Sequence, residues 1–391
     1  MNRKTICGVA AGTSIVITTA LATAGPLNPP AGPVASTPGP EPRIAINATN
    51  TPGDANSVFR ITQPGSYYLT GNVAGVAGKH GIEIAASAVT IDLMGFDVSS
   101  TPGNGAFDGV STSAAGLVNL TIFNGTVRGW GDDGIDLAAF NAQHCEVRSI
   151  RATANADQGV ILGNNARAVG CTASGNTAAG IRLGDNAEAV DCVANSNLIG
   201  IAAGSDCRIF GCRASANTTD GISAVLRTTI DKCLSNQNAE DGVEVSHGST
   251  ITASAAADNA GNGFRTGNGV RIEACTAREN TLNGIAVGTQ CAVDANTCTA
   301  NGIDGDGAGI LASGSDSRIT GNTCIGSDRG IDVNGQGNFI ARNVCTSNTT
   351  NWDITNGNVC LIVAGTTGGP ISGNAGGVAP GSTDPNANFT Y

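Results

Sequence analysis

Large side chains are scarce in this chain. Aromatic residues are 4% and charged residues 13% of its 391 residues, while Gly accounts for 56 of them. A packed helical protein needs bulkier residues and fewer glycines, so an all-α fold is excluded. Lys occurs only at Lys4, Lys79 and Lys232, against a formal net charge of -11. Such a surface repels a phosphate backbone, and nucleic acid is not an expected partner. Histidine is equally sparse (His80, His144 and His247) and no Cys-x-x-Cys pair occurs, which argues against a zinc site. Beyond the N-terminus no run reaches the ~18 uncharged apolar residues that a membrane-spanning helix needs.

The N-terminus carries an export signal. Arg3 and Lys4 precede a weakly apolar run from Thr5 to Leu21, which closes on Ala22-Thr23-Ala24, small at both recognition positions of a cleavage site. Residues 1–24 are therefore read as a signal peptide, and the product as secreted, extracellular or periplasmic. Seven prolines fall in residues 25–42, too many missing donors for regular structure, so this segment is read as a linker. In residues 43–80, Ser57 to Val73 reads as two strands around the Pro64-Gly65 turn, forming an N-terminal cap. Residues 361–391 read as a Gly-rich C-terminal tail or cap.

Between these ends the chain repeats. Gly followed by an aliphatic or aromatic residue recurs at Gly81, Gly109, Gly134, Gly159, Gly180, Gly200, Gly221, Gly242, Gly263, Gly284, Gly309 and Gly330, most steps being 20 or 21 residues. A period of this length without helical spacing predicts a β-solenoid. One and three places after each Gly stand pairs such as Ile135/Leu137, Ile181/Leu183 and Val243/Val245. Alternation of period two marks an inward-facing strand. Seventeen places on, seven coils running, the residue is Asn, from Asn176 and Asn197 through Asn280 to Asn301. An amide stacked on its own kind can satisfy backbone groups at a corner that water cannot reach, so an asparagine ladder is expected.

Three short strands per coil, small and aliphatic stacks and an Asn-lined corner resemble the right-handed parallel β-helix of the pectate-lyase superfamily. The resemblance covers residues 81 to about 360 and implies an all-β parallel β-helix of about twelve coils. The segment Pro64-Gly65-Ser66-Tyr67-Tyr68-Leu69 and the closing Asn388-Phe389-Thr390-Tyr391 also resemble secreted bacterial β-helix proteins.

Twelve cysteines follow Ala24, an even number that would suit a disulfide framework in an exported protein. Their register points elsewhere. Cys145, Cys171, Cys192, Cys212, Cys233 and Cys275 fall in or near one inward column, and Cys298, Cys324 and Cys345 in the next, where Asn296, Asn322 and Asn343 take over the first. Stacked neighbours lie ~4.8 Å apart, beyond the ~3.8 Å between Cβ atoms of a relaxed disulfide. Buried free thiols are expected.

Chemistry is best sought in Arg128-Gly129-Trp130-Gly131-Asp132-Asp133-Gly134-Ile135-Asp136, on a coil four residues longer than the repeat. Extra length makes a loop, where sites are built on rigid scaffolds. The stretch resembles the G-D-D-x-I motif of polygalacturonases, with Asp108 and Arg182 matching further positions. Gln158 stands where that family has His, and Gly184 where it has Lys. Asp108, Asp132 and Asp133 are the candidate catalytic acids; Trp130, Asp136 and Arg182 are the candidate substrate contacts. Asp132 and Asp133 could also hold Ca²⁺, as carboxylates do in lyases that the chain resembles. The competing reading is turn chemistry, since Asx precedes the repeat Gly also at Asp220, Asp241, Asn262 and Asn283. Two functions remain open: a monomer that binds or cleaves extracellular polysaccharide, by hydrolysis or Ca²⁺-assisted elimination, and a non-catalytic structural or adhesion rod of the cell envelope.

Overall fold

A computed structural model describes residues 43–101, 105–303, 305–364, 371–373 and 384–390. The expected signal peptide and proline-rich linker lie outside the described residues. Among the described residues no helix is long and apolar enough to cross a membrane, and the only helical turn is a short 3-10 segment, Ala139–Asn141.

The chain is an all-β parallel solenoid. Each typical coil contributes three strands, for example Ile222–Leu226, Thr229–Asp231 and Leu234–Asn236. The first joins a 15-stranded sheet, and the other two a 28-stranded surface that bends around the core. Equivalent residues of successive coils pair in register, as in Ile201↔Ile222 and Ile222↔Val243. The solenoid therefore has about fifteen turns, where the glycine count gave twelve. The additional turns come from both ends. Ser57–Ile61 pairs in parallel with His80–Ile84, and Asn388–Thr390 with both Val344–Thr346 and Ile362–Ala364. Ser57–Ile61 and Gly65–Leu69 lie in different sheets, so the Pro64-Gly65 turn is a corner of a coil and joins no hairpin.

The ladder begins one coil earlier than its spacing shows. Asn155 Nδ2 donates to Asn176 Oδ1 at 2.9 Å, and the chain of amides continues through Asn197, Asn217, Asn238, Asn259 and Asn280 to Asn301. Asn155 escapes the seventeen-residue spacing because its coil carries the four-residue extension. A second ladder, Asn296–Asn322–Asn343–Asn388, runs in the column that the cysteines vacate and ties in the C-terminal strand. Asn238→Ala should cost ~1–3 kcal/mol, because its buried Oδ1 accepts both the backbone N–H and Nδ2 of Asn217. Asn236, half-exposed on a strand, should cost less in chemical denaturation; the reverse order would misplace the corner.

The repeat glycines serve close approach. Asx-Gly turn chemistry would place them at positive φ, yet none of the twelve adopts it. A Cβ on Gly134 would lie 2.5 Å from the Gly159 carbonyl oxygen and 2.6 Å from Asn155 Nδ2. The coil above and the ladder beneath occupy that volume.

All twelve described cysteines are free and buried. Cys298, Cys324 and Cys345 stack in register. Along the longer column the thiols of Cys171 and Cys192 donate to the Val147 and Ala168 carbonyls of the preceding coil at 3.4 and 3.5 Å. They are thus small stackers with a weak donor. Burial pushes the Cys275 thiol up to about 11, which keeps it un-ionised and inert.

Candidate active site

The corner immediately before the repeat Gly carries two polar runs, separated by Ala179 and Ile199. His80, Asp108, Asp133 and Gln158 form the first on four successive coils. Asp108 Oδ1 accepts the Asp133 N–H at 3.0 Å, and Asp133 Oδ1 accepts the Gln158 N–H at 2.8 Å. Asp220, Asp241, Asn262 and Asn283 repeat this arrangement further along, each taking an N–H from the next coil. The Asx residues therefore bond between coils; the local turn bond expected of Asx-Gly is not their role.

The first column differs in what converges on it. Asp108, Asp132 and Asp133 each place a carboxylate oxygen within 4.8 Å of the others, the one such group of potential metal ligands among the described residues. Asp133 is 7% exposed, and burial, reinforced by Asp108 and outweighing the Gln158 N–H, pushes its carboxyl up to about 8. Burial raises Asp132 as well, with Asp108 and Asp157 adding repulsion. Three hard oxygens suit Ca²⁺, and two of the acids have already committed one oxygen each to a backbone N–H.

His80 joins the cluster from the preceding coil. Its Nδ1 accepts the Asp108 N–H at 3.0 Å and stands 3.3 Å from Asp108 Oδ2. Neutral His80 thus carries its proton on Nε2, and protonation would turn Nδ1 toward the carboxylate. Burial pulls the imidazole down, but Asp108, Glu83 and Asp132 outweigh it and leave His80 raised. Its position was legible, since His80 precedes Gly81 as Asp108 precedes Gly109. Glu83 lines a cavity of about 340 Å³ together with His80, Asp108 and Asp136, while Asp132 and Asp133 are not part of its lining.

The other candidates separate. Trp130 is 1% exposed, so it cannot stack on a sugar. Its indole enters the interior where Gly81 and Gly109 leave room, and Nε1 donates to the Val98 carbonyl at 3.0 Å. Asp136 lines the cavity, but its Oδ1 accepts the Ala138 and Ala139 N–H groups at 2.8 and 3.0 Å and so fixes the turn that follows. Arg182 lies two strands beyond Asp136 through Ile161, ~9.6 Å along the sheet, and lines two neighbouring hollows apart from the acids. Charged pairs on neighbouring coils form exposed ladders: Arg167 meets Glu188 at 3.2 Å, and Arg265 meets Glu244 at 3.1 Å. At such exposure each pair contributes little.

The family model described as NosD, periplasmic copper-binding protein, matches residues 227–374, a stretch beyond the acid cluster and less than half of the chain. No curated protein matches the chain. Among solved structures, it is similar to the Dettilon tailspike protein, at 16% identity over 83% of this chain and 60% of that one, with a TM-score of 0.44. It is also similar to the A-module of a mannuronan C-5 epimerase from Azotobacter vinelandii, at 17% identity over 82% and 91%, TM-score 0.44. A periplasmic alginate epimerase matches at 11% identity over 88% and 80%, TM-score 0.41.

Proposed function

We propose that this chain is an exported β-solenoid that binds and hydrolyses an extracellular polysaccharide at the Asp108–Asp132–Asp133 cluster. One observation carries the reading: three carboxylates converge within 4.8 Å, with Asp108 among them lining a cavity, and like charges so close cannot all ionise. Asp133, the most strongly raised, retains a proton at neutral pH and donates it to the glycosidic oxygen as the sugar leaves. Half-buried Asp132 is the carboxylate that attacks the anomeric carbon, since the short separation leaves no room for a water between two acids. Water then releases the sugar with net retention, returning its proton to Asp133. A Ca²⁺ ion held by Asp132 and Asp133 would instead supply charge neutralisation for an elimination.

Asp133→Asn is the decisive substitution. Asn keeps the acceptor for the Gln158 N–H, as Asn262 does for Asn283 in the same kind of column, while removing the proton donor. Release of reducing ends from a panel of uronate and neutral polysaccharides, with and without Ca²⁺, should fall at least ~100-fold in this variant. Ca²⁺ dependence with unsaturated products would select elimination.

The structural rod is the second reading, and a specific observation favours it. The inter-coil bond of Asp133 is also made by Asp220, Asp241 and Asn262, where no such cluster of three acids forms. A wild-type chain without activity or Ca²⁺ affinity would leave Asp133 as a corner residue of an envelope rod.

A further inference from the structure

The cavity beside the acids has a wall that no sequence motif marks. Phe140 is 59% exposed in a chain with few aromatics, and it lines the cavity with His80, Glu83, Phe107, Asp108 and Asp136. Its backbone is left-handed, at φ 54° and ψ 29°, a conformation unfavourable for a bulky residue. The surrounding coil imposes it. Asp136 Oδ1 holds the N–H groups of Ala138 and Ala139, Thr112 Oγ1 donates to the Ala139 carbonyl at 3.2 Å, and the Gly116 N–H donates to the Phe140 carbonyl at 2.9 Å. The ring is thus held out of the core at the rim by bonds that determine its position.

Two side chains that line the same cavity each carry a buried polar atom without a protein partner. Glu83 is 5% exposed, and its Oε2 is buried without a hydrogen bond; Ser113 Oγ is in the same state. Glu83 Oε1 faces Arg60 Nε at 3.3 Å, so its other oxygen is the unsatisfied acceptor. An unmet buried acceptor is costly unless something supplies a donor. An exposed ring face, a carboxylate acceptor and a hydroxyl together match a ligand with an apolar face and hydroxyl groups around its edge. A pyranose ring has both.

We propose that this cavity is a pyranose subsite selective for an uncharged sugar, with the ring stacked on Phe140 and its hydroxyls bonded to Glu83 Oε2 and Ser113 Oγ. Charge sets the selectivity: Glu83, Asp108 and Asp136 all line the hollow, with His80 as its one titratable cation, and a uronate carboxylate entering there meets like charge. The inference rests on the polysaccharide reading above and narrows its substrate to a polymer with a neutral residue at this position.

Calorimetric titration with neutral tetrasaccharides of glucose, mannose, galactose and xylose, and with those of galacturonate and mannuronate, tests it. A neutral probe should bind more tightly than either uronate. Phe140→Gly should weaken that binding about five- to tenfold, and Glu83→Gln should weaken it too. Because Gly accepts φ 54° without strain, Phe140→Gly should melt no lower than the wild type, so lost affinity is not lost folding. Tighter binding of uronates, unchanged affinity in Phe140→Gly, an altered oligomeric state in place of altered affinity, or binding of no probe would each overturn the subsite. Phe140-dependent binding without cleavage would retain the subsite and reject hydrolysis. Cleavage of a uronate polymer indifferent to Phe140→Gly would do the reverse.

Discussion

Ile222→Asp should lower the melting temperature by on the order of 10 °C, while Ser223→Asp should move it by a degree or two. Ile222 is fully buried and stacks between Ile201 and Val243 in the 15-stranded sheet. A carboxylate there has no partner above or below, and an unpaired buried charge costs several kcal/mol. Ser223 is half-buried on the opposite side of the same strand, between Ala202 and Glu244. Its replacement adds one like-charge neighbour near solvent, worth under ~1 kcal/mol. Circular dichroism melts of the two variants check the strand register directly, since a slip of one residue would exchange their effects.

Stability should also fall as the pH rises from 4 to 8. Asp133 lies at about 8 in the folded chain against an ordinary 3.8. Between these values the folded state keeps a proton that the unfolded state has released, so each step up in pH favours unfolding. Asp332, raised by burial to about 6, acts the same way between pH 4 and 6, and Asp220 is likewise raised, chiefly by burial. His80 adds to the trend: its raised value stabilises the fold while it is protonated, and that contribution is lost as the pH climbs past it. Asp54, lowered chiefly by the Asn56 N–H, works in the opposite sense but only below about pH 4, outside this window. The combined effect is on the order of a few kcal/mol. Melts across pH 4–8.5 should show a maximum at the acid end. Asp133→Asn should flatten the curve and gain on the wild type as the pH rises. If the carboxylates hold Ca²⁺, the ion should raise the wild-type melting temperature at pH 8 and leave the variant unmoved. A melting temperature that climbs from pH 5 to 8 would contradict the buried, protonated state of Asp133.

The candidate site was legible where it obeys the repeat. Asp108, Asp133 and His80 share the position before a repeat Gly, so their stacking follows from counting residues. Trp130 was misread because an indole in an extended coil can turn either way, and the space left by Gly81 and Gly109 drew it inward. Phe140 gave no signal, because its exposure depends on bonds from Thr112 and Gly116 in the preceding coil. Arg182 matches a motif position, yet Ile161 separates it from Asp136.

The sequence by itself determined the parallel solenoid, its inward columns, the corner ladder and the burial of the thiols, because each follows from a short period repeated at fixed phase. A stacked fold has neighbours one coil away and no others, so local spacing contains its long-range contacts. The tertiary structure decided what lies at the irregular coils. There the added residues have no counterpart above or below, and the direction of each side chain is set by the space and hydrogen bonds that adjoining coils leave. This is why the fold could be counted from glycines, while the buried indole and the exposed ring at the cavity rim could not.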